Sequence, residues 1–291
     1  AINRVQPDWV LAQGDTTTVT VTALVAFYRG LRFGHVEAGL RTGDRRRPFP
    51  EEINRRIADL MADLYFAPTQ RACDALLAEG ISERCIRVTG NTVIDALLDV
   101  AQRPYDVTAG PLRGVTLDGR VVLITAHRRE SFGEPFRRLC EAIRQLALEF
   151  ASDGVQFVYP VHLNPNVREP VRAILSSAEN ISLIEPLDYL ALVHLMKRSA
   201  LVLTDSGGIQ EEAPSFGVPV LVMRETTERP EGIESGGVKL VGTDPDRIVS
   251  EARRLLRDGK AHAAMSVKVN PYGDGHAAER IVSALLEHPC S

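Results

Sequence analysis

Short β-rich apolar runs, polar turns and stretches of helical periodicity alternate along the chain. Residues 9–12 form the first run, Gln13-Gly14-Asp15-Thr16 is the turn after it, and Val19, Ala23, Ala26 and Phe27 then recur at helical spacing. Residues 33–37 form the second run, and a loop over 38–50 follows. The next helix is predicted from Ile53, Ile57, Leu60, Met61 and Leu64, which fall on one stripe. Glu51 and Glu52 lie in its first turn, where the helix dipole favours carboxylates. Residues 65–67, a helix over 71–79 and residues 86–89 continue the alternation.

From 101 to 119 the periodicity fails while Pro104, Gly110, Pro111, Gly114 and Gly119 accumulate, the composition of a linker. Beyond it come six further apolar runs, at 121–126, 156–161, 181–186, 200–205, 219–224 and 238–242, with helical patterns over 136–150, Tyr189–Arg198 and Pro245–Arg257. Strands alternating with helices predict a parallel, doubly wound α/β sheet. The expected organisation is a first domain at 1–100, a linker at 101–120 and a second domain at 121–275. A last helix within 276–291 follows a sharp turn and is expected to return to the first domain. Of these runs only three are counted as strands ahead of the linker, few beside a six-stranded partner. Sequence missing from the N-terminal side of the first domain would explain that.

Size and composition narrow the function classes. The 291 residues suffice for two cores, and 44% hydrophobic with 25% charged residues is the balance of a globular protein. A net charge of −4 gives no field to attract nucleic acid or an anionic membrane, so neither is expected as a partner. Any bound phosphate must be met by local groups. No apolar run approaches the roughly 18 residues of a membrane span. Cys73, Cys85, Cys140 and Cys290 lack metal or disulfide spacing, and no histidine grouping has metal-like spacing either. A reduced, cytoplasmic setting without metal or cofactor is therefore expected.

In open α/β sheets ligands bind beyond the carboxyl ends of the strands. Here those loops hold Asp15, Glu37, His127-Arg128-Arg129-Glu130, His162-Leu163-Asn164-Pro165 and Asp205-Ser206-Gly207-Gly208. The last reads equally as a phosphate cradle opening a helix or as a tight turn capped by Ser206. Asp15 or Thr16 could simply cap the following helix. Glu37 ends a mostly apolar strand, where an unpaired carboxylate is costly, although Arg41 could be a structural partner for it. Glu51 fits the role of a dipole-compensating residue. Three carboxylates near one sheet edge also suit acid–base work, since crowding and burial set their pKa values apart. His127 beside two arginines suits a diphosphate, and the loop after 219–224 adds Arg229. Residue chemistry thus reaches an anion-binding α/β protein with several acids, and no substrate.

The strings GDTTT, HVEAGLRTG, FAPT, VTGNTVIDAL, HRRE, YPVHLNPNV, TDSGGIQEEAPSFGVPVLVMRETTERPEG, LVGTD and NPYGDG, in this order, resemble the bacterial non-hydrolysing UDP-N-acetylglucosamine 2-epimerases. The resemblance runs from about residue 5 to residue 281 and is strongest to the enterobacterial branch, which supplies ManNAc precursors for surface polysaccharide. It implies two Rossmann-like domains across a cleft, as in GT-B glycosyltransferases, and a homodimer. It also implies conversion of UDP-GlcNAc to UDP-ManNAc by elimination and re-addition of UDP.

Residue by residue, Asp15, Glu37 and Glu51 match the family's essential acids, and His127 its active-site histidine. Ser206, Gly207 and Gly208 match its diphosphate loop, Glu212 a ribose-binding glutamate and Arg229 a phosphate-binding arginine. Arg128 and His162 match positions that bind an activating second UDP-GlcNAc in some relatives. The family's opening strand with its GTRPE-type loop has no counterpart, so at least two βα units are expected to be missing, one βαβ unit taking about 30 residues. A GT-B glycosyltransferase, a hydrolysing epimerase and an inactive UDP-sugar-binding protein are the competing readings. The paired GDTTT and HVEAG acids favour epimerisation.

Overall fold

A computed structural model describes residues 2–287, with only the backbone described for Ile2, Asn3 and Glu130. Two compact units result. Unit 1 takes in the residues up to Ala96 and those from Pro271 on, and unit 2 is Leu97–Asn270.

Unit 1 opens with α1 (Ile2–Val5), followed by β1 (Trp9–Gln13), α2 (Thr17–Tyr28), β2 (Arg32–Val36), α3 (Glu51–Leu60), β3 (Leu64–Ala67), α4 (Gln70–Ala78) and β4 (Ile86–Val88). Among the described residues its sheet is parallel and four-stranded, in the order β1-β2-β3-β4. That is one strand more than the three counted, because the run at 86–89, already part of the alternation, pairs with β3 as β4. Alternation along the strands fills both faces. Phe33 packs with Val19, Ala23 and Ala26 of α2, whereas Val36, Leu64 and Phe66 point to the other side.

The helix α5 (Thr92–Gln102) carries the chain into unit 2. Of the linker expected at 101–120, Ala101 and Gln102 end α5, Arg120 starts the next strand, and residues 103–119 form an irregular arm on that unit. Leu112 is fully buried, and Tyr105, Val107, Val115 and Leu117 pack around the same cluster.

Unit 2 continues with β5 (Arg120–Thr125), α6 (Glu134–Glu149), β6 (Val155–Pro160), α7 (Pro165–Leu175), β7 (Ile181–Ile184), α8 (Tyr189–Arg198) and β8 (Ser199–Thr204). Then come α9 (Gly207–Glu212), β9 (Val220–Val222), α10 (Pro230–Glu234), β10 (Val238–Leu240), α11 (Pro245–Arg257) and α12 (Gly259–Met265). Its six strands among the described residues are all parallel, in the order β10-β9-β8-β5-β6-β7. The order reverses between β5 and β8, the position where open α/β sheets bind ligands. Val122 and Ile124 face the cluster built with α6, α7 and α11, while Val121 and Leu123 face the one built with α8 and α9. Helices therefore cover both faces, and strands buried on both sides must be apolar throughout.

The last helix, α13 (Ala277–Glu287), belongs to unit 1. Ile281 and Ala284 pack on Val36, Leu64 and Phe66. The Asp95 carboxylate accepts the Ala277 and Ala278 amides at 3.1 and 2.8 Å, which satisfies two of the unpaired donors at the helix start. No described helix is long and apolar enough to cross a membrane. Cys73, Cys85 and Cys140 are free thiols, and Cys290 lies outside the described residues.

Candidate functional site

The sequence-predicted residues fall into two groups, one per unit, both in loops that leave strands at their carboxyl ends. In unit 1, Gly14 follows β1 with φ +86°, a left-handed turn that suits glycine, and its amide donates to the Val36 carbonyl at 3.0 Å. A Cβ on Gly14 would lie 3.5 Å from Oε2 of Glu37, so the Glu37 carboxylate rests against the residue preceding Asp15. Glu37 itself has φ +69°, a conformation strained for a side chain of its size. It is held there because its amide and that of Ala38 both donate to the Phe66 carbonyl, at 3.0 and 3.1 Å. Such strain often marks a functional position.

Asp15 does not cap α2. Thr16 does so, its hydroxyl accepting the Val19 amide at 3.4 Å. The Asp15 carboxylate instead pairs with the guanidinium of Arg55, and its carbonyl accepts from the Asn54 amide group at 2.9 Å. Arg55 is buried and also donates to Glu52 at 3.3 Å. Glu52, fully buried, accepts the Thr42 and Gly43 amides at 3.1 and 3.4 Å and so ties the long loop to α3. Glu51 is the first residue of α3, one turn before Arg55, which puts it on the same side of the helix.

The helix itself departs from its expected stripe. It ends at Leu60, which is exposed, Leu64 belongs to β3, and the buried face is Glu52, Arg55, Ala58 and Asp59. Charge pairing holds that face down in place of apolar packing. Arg41 does not serve as the expected partner of Glu37; it donates to Asp59 and Glu79, each at 2.7 Å.

In unit 2, Asp205 directly follows β8 and is buried. Its Oδ2 accepts the His127 and Arg128 amides, at 2.7 and 2.8 Å, and so fixes the loop after β5. The His127 ring stacks on His162, with centroids 5.4 Å apart and planes 10° from parallel. Arg128 reaches Glu228 at 3.7 Å, and Glu228 also pairs with Arg224 at 3.1 Å and Arg229 at 2.9 Å. The Nε of Arg229 donates to Glu211, and its guanidinium lies 3.4 Å from where a Cβ on Gly207 would be. The structure thus gathers His127, Arg128, His162, Asp205, Gly207 and Arg229 around the β5–β8 switch.

Ser206 occupies the N-cap position of α9, but its hydroxyl makes no capping bond. Its amide donates to the Thr204 hydroxyl at 2.9 Å. Glu212 is buried at the end of α9 and accepts from the Tyr189 hydroxyl at 2.7 Å. Burial, with help from the charge of Glu211, pushes its carboxyl up to about 7 against the lowering effect of that hydrogen bond. No group of three or more His, Cys, Asp or Glu residues placed to hold a metal occurs among the described residues. In the sequence Glu52 showed only a dipole role, and nothing marked Arg55, His35, Asp59, Tyr189 or Glu228. Only their partners across 20 or more residues, or buried positions on an otherwise polar helix, reveal them.

Two all-parallel α/β units with their charged side chains gathered past the strand ends define a protein of the GT-B-like class. The chain belongs to the UDP-N-acetylglucosamine 2-epimerase family, whose profile matches residues 1–286. The UDP-N-acetylglucosamine 2-epimerase of Escherichia coli is 52% identical over 294 aligned positions, 98% of this chain and 77% of that one. The crystal structure of the Neisseria meningitidis UDP-GlcNAc 2-epimerase bound to UDP-GlcNAc superposes with a TM-score of 0.90 at 43% identity, covering 99% of this chain and 78% of that one. The Methanocaldococcus jannaschii enzyme in complex with UDP-GlcNAc and UDP gives 0.80 at 36% identity, covering 99% and 78%. These likenesses favour the epimerase over the transferase reading.

Proposed function

We propose that the chain interconverts UDP-GlcNAc and UDP-ManNAc by inverting C2 of the sugar. The observation that carries this is family membership together with a 43%-identical relative whose structure holds UDP-GlcNAc. The C2 proton is weakly acidic, so C1–O cleavage must run ahead and place positive charge on the ring. UDP leaves with the C1–O electron pair, a carboxylate takes the C2 proton, and the C–H electrons form the C1=C2 bond of 2-acetamidoglucal. Re-addition protonates the other face of C2 while UDP oxygen re-forms the bond to C1.

In this reading Asp15, Glu37 and Glu51 surround the cationic ring, and one of them is the base. His127, Ser206, Gly207, Gly208 and Arg229 meet the diphosphate, and Glu212 the ribose. Arg128 and His162 hold a second, activating UDP-GlcNAc. Their closeness to His127, by stacking and by sequence, supports communication between the two ligands. A homodimer belongs to the same reading, supported by exposed Val21, Val25 and Tyr28 at helical spacing on α2. So does a cytoplasmic role in supplying ManNAc units for surface polysaccharide.

Turnover of UDP-GlcNAc in D₂O tests the chemistry. Deuterium should enter C2 of the product as epimerisation proceeds. Product that keeps its original C2 hydrogen throughout would exclude solvent-exchanged deprotonation.

A further inference from the structure

Asp205 is only 2% exposed, and its two oxygens differ sharply. Oδ2 takes two backbone amides, whereas Oδ1 is buried with no hydrogen-bond partner. An orphaned oxygen on a buried carboxylate is costly and calls for an explanation. The nearby hydroxyls do not supply one. Thr125 and Thr204 bond to each other at 2.6 Å, Thr204 also accepts the Ser206 amide, and the Tyr159 hydroxyl donates to the Ala126 carbonyl at 2.6 Å. The Arg128 guanidinium is turned to Glu228. What faces Oδ1 is Nδ1 of His127, 3.7 Å away.

The His127 ring is 43% exposed, so a small side-chain rotation brings Nδ1 within hydrogen-bond reach. The same carboxylate already holds the ring's own backbone amide, so the ring cannot drift far from it.

We infer that Asp205 is the positioning residue of a His127–Asp205 dyad. Its Oδ1 accepts from Nδ1–H of His127, fixes that tautomer and stabilises the imidazolium, so that Nε2–H is presented to the leaving diphosphate. This deepens the role proposed above for His127 and rests on it. An ionised carboxylate can only accept, so hydrogen must sit on Nδ1. When charge builds on the departing UDP oxygen, a cationic ring meets it better than a neutral one. Stacking on His162 keeps the ring plane in line.

Asp205→Asn tests this, because its carbonyl oxygen can still take the backbone amides while its NH₂ faces Nδ1. A donor there forces hydrogen onto Nε2 in the neutral ring. Imidazole ¹⁵N spectra of the purified chain should show the Nδ1–H tautomer, and those of Asp205→Asn the Nε2–H tautomer. The same tautomer in both would overturn the dyad, whatever the activities. Turnover should fall by up to about 1,000-fold in Asp205→Asn, the order of losing one well-placed electrostatic group at the departing oxygen, with KM much less affected. In a His127→Gln background the second substitution should add almost nothing. A full additional loss there would show that Asp205 acts only on the loop. If His127→Gln alone keeps normal turnover, the diphosphate role of His127 fails, and the spectra still decide the dyad.

Discussion

Nδ1 of His35 lies 2.5 Å from Oδ1 of Asp59, and both side chains are buried behind the loop that carries Asp15. Nε2 of the same ring lies 2.8 Å from the Gly14 carbonyl, which can only accept, so Nε2 carries hydrogen. Asp59 is held ionised by Arg41, and Nδ1 therefore carries hydrogen as well. Burial alone would lower the pKa of His35. The hydrogen bond and charge of Asp59, the Gly14 carbonyl and Glu37 outweigh it and raise the pKa. Burial likewise opposes ionisation of Asp59, but His35 and then Arg41 bring its pKa below the usual range.

Stability should therefore follow pH in a definite way. The contribution of His35 is full below about 6.5 and lost as pH rises through its raised folded pKa; that of Asp59 is full above about 3.8 and lost as pH falls. Denaturant unfolding of His35→Gln should show its largest deficit near pH 5 and a smaller one near pH 9. A deficit that is flat with pH would mean that the neutral ring suffices. Asp59→Asn should cost about 3–5 kcal/mol, since it leaves buried cations uncompensated.

Glu212 should show the opposite balance, function against stability. Its carboxyl is raised to about 7 from an ordinary 4.5, so the folded state binds the extra proton between those values. Stability consequently falls as pH rises from 4.5 to 7, and the full penalty persists above. Glu212→Gln should therefore stabilise unit 2 by up to about 3 kcal/mol at pH 8 and by nothing near pH 4. Calorimetric titration should show that the same variant binds UDP more weakly. Unchanged melting at pH 8 would indicate that the carboxylate is well solvated when ionised.

Arg55 should matter to turnover without touching the nucleotide. Arg55→Met keeps the length of the side chain but frees Asp15 and Glu52. Turnover should drop by at least tenfold, since acid–base groups contribute about 10²–10⁴-fold when well placed. UDP affinity should hold. A parallel loss of both would point to unfolding of unit 1, which circular dichroism would show.

Activity should survive chelation. No cluster of metal-ligating side chains occurs among the described residues, while Arg128, Arg224 and Arg229 gather about Glu228 near Gly207. Assays in EDTA should match those without it, and a rate restored only by Mg²⁺ would overturn the arginine assignment.

Much of this fold was legible because parallel strands buried on both faces must be written as unbroken apolar runs, as residues 121–125 and 200–204 are. Strand order was not, since nothing local in β8 says that it lies beside β5. The run at 86–89 was visible in the alternation but, at three residues of strand, too short to be counted beside the others. The alternation of runs already put Asp15, Glu37, His127 and Asp205 in loops past strand ends, where the structure has them. The supporting charges were hidden. Glu52, Arg55 and Asp59 sit on the polar side of α3, where pattern alone predicts solvent, and only the folded chain brings Asp15, Thr42 and His35 to them.

The amides that Asp95 caps at the start of α13 belong to Ala277 and Ala278, 182 and 183 residues later in the chain. During synthesis, every residue of unit 2 leaves the ribosome in between. At about 5–20 residues per second, the apolar face of Val36, Leu64 and Phe66 waits roughly 10–40 s for Ile281 and Ala284. The nascent sheet of unit 1 is therefore a natural client for a chaperone, and unit 2, contiguous in sequence, can fold while that face is still uncovered.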